Sequence, residues 1–73
     1  MQSFTVVIEP DEDEYHAFVP SLPGCHTFGA TIDETLHYIK EAIDLYIEGL
    51  LENGLPIPVE TEPLLVTRVL TAV

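Results

Sequence analysis

The sequence predicts an α+β domain of order β-β-β-α-β, with one antiparallel-rich sheet and a single long helix packed on one of its faces. Three observations carry this expectation. Residues 31–54 repeat apolar positions every three or four residues, the helical period. Before them, FTVVIE and YHAFVP are β-prone stretches separated by a polar turn, and after them LLVTRVLTAV is again rich in β-branched residues.

FTVVIE, residues 4–9, places Phe4, Val6 and Ile8 on one face of a first strand. PDEDE follows as a proline-led turn. YHAFVP then puts Tyr15, Ala17 and Val19 on one side of a second strand, with His16 and Phe18 on the other. Strands joined by about five turn residues form an antiparallel hairpin. SLPGC predicts another turn, in which Pro23 sets one corner and Gly24 supplies the positive φ that a type II turn needs next. Cys25 reads as a small buried thiol beside it. Backbone geometry thus accounts for Pro23, Gly24 and Cys25 without chemistry. CHTFGA returns as a third strand ending at Gly29.

The helix has the strongest local signal. Thr31 caps it, Glu34 completes a capping box three residues later, and Asp33 and Glu34 suit the positive end of the helix dipole. Ile32, Leu36, Ile39, Ile43, Tyr46, Ile47 and Leu50 form one apolar stripe, expected to cover the sheet. Asn53 and Gly54 stop the helix, and Pro56 and Pro58 prevent its resumption. LLVTRVLTAV, residues 64–73, alternates with both faces largely apolar, as in a strand lying centrally in a sheet or against a second chain.

A chain of 73 residues is one domain, residues 1–73, too short for two cores. At that size association into a homodimer or higher oligomer is expected. No apolar run reaches the roughly 20 residues of a membrane helix, and the first residues carry acids where a signal peptide carries bases. A lone cysteine forms no internal disulfide, so a cytoplasmic location is expected. Thirteen acids against Lys40 and Arg68 give a net charge of −11. That balance argues against nucleic acid and membranes as direct partners and suits either a basic protein partner or simply the solubility of a small domain.

Chemistry-bearing residues are sparse. Cys25 and His26 are adjacent, but neighbours on a strand point to opposite faces and cannot easily share a proton. His16 and His26 approach each other only if their strands pair, and one cysteine with three scattered histidines does not make a zinc site. His37 falls at the edge of the helical stripe. No catalytic, metal or cofactor site is expected. Asp11, Glu12, Asp13 and Glu14 read either as a solvated turn or as a docking patch for arginine and lysine. On the outer helix face Asp44, Glu48 and Glu52 follow at i,i+4 with Glu41 beside them, and each like-charge pair costs about 0.2 to 0.5 kcal/mol. A cationic partner would turn that repulsion into attraction, and plain surface solubility is the other reading of this face.

YHAFVPSLPGC, the following FGAT and TIDETLHYIKEAIDLYIEGLLENGLPIP together resemble the N-terminal domain of HicB-type antitoxins over about residues 4–58. Tyr15, Val19, Pro20, Leu22, Pro23, Gly24 and Cys25 fall on that family's strand and turn motif. Gly29 and Thr31 fall on its helix start, Glu41, Ala42 and Ile43 on its helix, and Glu52, Gly54, Ile57 and Pro58 on its exit. Ser21 stands where the family often has aspartate. The resemblance implies a partial ribonuclease-H-like layer without a working active site, which neutralises a small basic HicA-type toxin that cleaves mRNA. Many members of the family continue into a DNA-binding domain, and none is expected here after residue 73. The expectation is therefore a noncatalytic antitoxin or orphan relative, prokaryotic and cytoplasmic. Its partner-binding residues would be Asp11, Glu12, Asp13, Glu14, Ser21, Glu41, Asp44, Glu48 and Glu52. Two alternatives are a carboxylate- and magnesium-dependent nuclease or hydrolase remnant, and a structural homo-oligomer with no toxin partner.

Overall fold

The computed structural model describes residues 2–60 and 67–72. Among these residues three antiparallel strands, β1 (Val7–Asp11), β2 (Glu14–Phe18) and β3 (His26–Gly29), form one sheet in the order β1-β2-β3, followed by one helix, α1 (Ile32–Glu52). This is the expected β-β-β-α arrangement.

The first strand is displaced from its expected place. Its pairing starts at Val7, opposite Phe18, and runs to Asp11, opposite Glu14. The ladder cannot extend towards residue 4, because the Val19 N–H is spent on the Cys25 carbonyl (3.1 Å) and Pro20 has no N–H to offer. Pro10 therefore belongs to the strand, opposite Tyr15, and the turn shrinks to Glu12 and Asp13. Proline is accommodated because β1 lies at the edge of the sheet. The predicted faces are nonetheless correct: Phe4, Val6 and Ile8 pack against the core, and Ala17 and Val19 are buried within it.

SLPGC folds as anticipated. Leu22 N–H donates to the Val19 carbonyl and Cys25 N–H to the Leu22 carbonyl, both at 3.0 Å, so two turns follow in succession. Gly24, the third residue of the second turn, has φ 82°. The closed loop drives Leu22 and Cys25 inward, where with Ala17, Val19 and Ile39 they are the buried apolar residues of the core. Cys25 is free, and burial pushes its thiol pKa up.

The helix begins as its sequence dictates. Glu34 N–H donates to Thr31 Oγ1 (3.1 Å), while the Glu34 carboxylate accepts from Ala30 N–H (2.9 Å). It ends in a Schellman motif: Leu55 N–H reaches the Leu50 carbonyl (2.9 Å), Gly54 N–H the Leu51 carbonyl (3.2 Å), and Gly54 takes φ 66°. The stripe is less completely covered than expected. Ile39 is buried, but Ile32 and Leu36 remain 49% and 46% exposed, and it is Thr35 that is fully buried at the helix start. The cause is lateral placement, since α1 packs on β2 and β3 and leaves the flank beside β1 open.

The expected final strand lies partly outside the described residues. Leu64, Leu65, Val66 and Val73 lie outside the described residues, and residues 67–72 are exposed and form no strand. Its alternation left both faces apolar, which specifies no register, and residues 67–72 add no strand to the three-stranded sheet.

Candidate docking surfaces

Hairpin geometry gathers one group of acids. Asp11 pairs with Glu14 across the turn, Glu12 and Asp13 form its tip, and all four are exposed. Like charges directly opposite each other on a ladder are unfavourable, and Glu12 also holds φ 57°, a region that suits glycine.

The helix presents the second group. Glu41, Asp44, Glu48 and Glu52 are all exposed. Two of them have a side-chain partner one turn earlier: His37 Nε2 lies 3.0 Å from Glu41 Oε1, and Lys40 Nζ 3.2 Å from Asp44 Oδ2. The structure does not join the two groups. Thr35 abuts Gly29, which pairs with Tyr15, so the helix starts at the hairpin-tip end of the sheet. From there its 21 residues run about 30 Å, carrying Glu48 and Glu52 to the opposite end. Near the tip, Asp33 and Glu34 in the first helical turn add to the acidic character.

Ser21 has a different setting. Its hydroxyl donates to Glu60 Oε2 (3.0 Å), and the same carboxylate accepts from the Thr5 N–H (2.8 Å) and the Thr5 hydroxyl (2.7 Å). Those donors, the Thr5 hydroxyl foremost, hold the Glu60 pKa below its ordinary value. Sequence reasoning missed Glu60 because its partners lie 55 and 39 residues away and no periodicity marks it.

The sheet face opposite the helix is aromatic. Cross-strand register sets His16 opposite Phe28 and Phe18 opposite His26. The ring centroids of His16 lie 4.8 Å from Phe28, 5.4 Å from His26 and 5.7 Å from Phe18. His16 and His26 thus do approach each other, diagonally, while Cys25 points into the core and His26 away from it, as alternation requires. His16 Nδ1 also lies 3.2 Å from Glu9 Oε1. A cavity of about 480 Å³ opens between this face and the Pro23–Gly24 turn. Among the described residues no group of three or more His, Cys, Asp or Glu is placed to hold a metal ion. No described helix is long and apolar enough to cross a membrane.

A small α+β domain with a capped helix on a three-stranded meander, acidic at both ends, is the class that fold and surface define. Residues 4–68 match the model of the HicB_like antitoxin of bacterial toxin-antitoxin systems, and the chain belongs to that family. It is 48% identical over 59 residues to a UPF0150 protein of Synechocystis sp., covering 80% of this chain and 75% of the relative. A UPF0150 protein of Archaeoglobus fulgidus is 56% identical over 46 residues, 62% of this chain and 67% of that one. One of Thermoplasma acidophilum is 52% identical over 56 residues, 75% of this chain and 81% of the relative. No solved structure matches the chain.

Proposed function

We propose that this protein is a noncatalytic antitoxin that binds and neutralises a small basic toxin of the HicA type, an mRNA-cleaving enzyme, in the cytosol. Family membership supplies the toxin-antitoxin setting. The observation that carries the sign of the partner is the disposition of charge. With two cations against thirteen acids, the exposed carboxylates at the hairpin tip and along α1 greatly outnumber the bases that could neutralise them. Such a field raises the encounter rate with a cationic surface and excludes the anionic RNA that the toxin would hold. Asp11, Glu12, Asp13 and Glu14 form one contact group, and Glu41, Asp44, Glu48 and Glu52 the other. Ser21 acts beside them by holding the loop through Glu60.

The test is direct. The purified chain is mixed with a HicA-type toxin and RNA cleavage is followed as the chain is titrated in. Cleavage should stop near stoichiometric addition and recover with salt. Cleavage unchanged at large excess would defeat the reading.

A further inference from the structure

The sheet face turned away from α1 is graded from aromatic to acidic. Register sets Phe18 opposite His26 at one end, His16 between Glu9 and Phe28 in the middle, and Asp11 opposite Glu14 at the hairpin end. Phe28 is 42% exposed, and His26 is exposed beside it. The ring centroids of His16 and Phe28 stand 4.8 Å apart, and the Glu9 carboxylate lies 3.2 Å from His16 Nδ1. Aromatic rings and a carboxylate are thus held side by side. Next to Phe18 the surface sinks into the cavity of about 480 Å³, which Pro20, Pro23 and Gly24 also line.

We propose, resting on the antitoxin reading above, that this face anchors the basic toxin by taking one of its arginines. The guanidinium stacks on the rings of His16 and Phe28 and donates to the Glu9 carboxylate. An apolar side chain of the same toxin surface enters the cavity beside Phe18, which alternates with His16 along β2 at a spacing of about 7 Å. That pair supplies the desolvated centre from which interfaces draw most of their affinity.

Charge chooses the occupant. Residues 1–39 contain no lysine or arginine, so the strands of this face offer none to offset Glu9, Asp11 and Glu14. Nucleic acid also stacks on exposed rings, but its phosphates would meet those carboxylates. A second copy docked face to face would set the same acids against each other. A cationic protein gains from the rings and the carboxylates together. Arginine suits the site better than lysine, because its planar guanidinium both stacks on rings and presents paired N–H donors to a carboxylate.

Titration calorimetry of the full chain with a HicA-type toxin at fixed salt tests the proposal. Phe28→Ala and Glu9→Gln should each raise the dissociation constant about tenfold or more, with an unchanged helical circular dichroism spectrum. Blocking the toxin's arginines with phenylglyoxal should abolish binding, whereas methylating its lysines, which keeps their charge, should not. In the complex His26 should lose its reactivity towards diethylpyrocarbonate. Tight wild-type binding that neither substitution weakens, or that survives phenylglyoxal, would overturn the proposal and leave the antitoxin reading standing. Protection of His37 on α1 with His26 still reactive would do the same. Absence of binding by the wild-type chain would remove both.

Discussion

A β-carbon on Gly29 would lie 2.8 Å from the Thr35 amide nitrogen and 2.9 Å from its Cα, so the last residue of β3 and the first turn of α1 touch backbone to backbone. That contact fixes where the helix rests on the sheet. Gly29→Ala must push the helix away, at a cost of about 3 kcal/mol, read as a lower midpoint in urea. Thr35→Ala should not rescue it, because the obstructing atoms include backbone. An unchanged midpoint in Gly29→Ala would refute the close approach.

Gly24 is limited by conformation and not by space. Nothing lies within 4 Å of a β-carbon added there, but φ is 82°. Gly24→Ala should cost about 1 kcal/mol, and Gly24→Asn less, since asparagine tolerates that region better. Equal stability of all three chains would contradict the turn assignment.

Glu60 makes one part of the acid stability depend on a hydrogen-bonded carboxylate. Its folded-state pKa is lowered, chiefly by the Thr5 hydroxyl and N–H, so its contribution is present above the unfolded value and is lost as pH falls through the folded value. Glu60→Gln should lower stability at neutral pH and flatten the acid limb of the stability profile, and Thr5→Val should do part of the same. Wild-type and Glu60→Gln curves that run parallel down to low pH would remove Glu60 from this role.

Glu48 separates folding from binding. It stands between Asp44 and Glu52 at i,i+4 on an exposed face. Glu48→Gln relieves two like-charge pairs and should stabilise the chain by about 0.5 kcal/mol. If α1 meets a basic toxin, the same change should slow association, most clearly at low salt. Faster or unaltered association would take this part of α1 out of the contact.

The helix, its cap at Thr31, its stop at Gly54 and the turn at Pro23 and Gly24 were all legible in the chain, because each is decided by contacts within a few residues. The faces of the strands were legible for the same reason, since a period of two needs no knowledge of the partner. The acids of the hairpin and of α1 were equally visible, but their separation to opposite ends was not, because it follows from where α1 starts on the sheet. Tertiary structure alone moved Pro10 into a strand, buried Thr35 against Gly29 and joined Glu60 to Thr5 and Ser21. It also left residues 67–72 outside the sheet. A strand needs a neighbour and a carboxylate needs its donors, and those partners are brought together by the folding of distant segments, which local propensity does not encode.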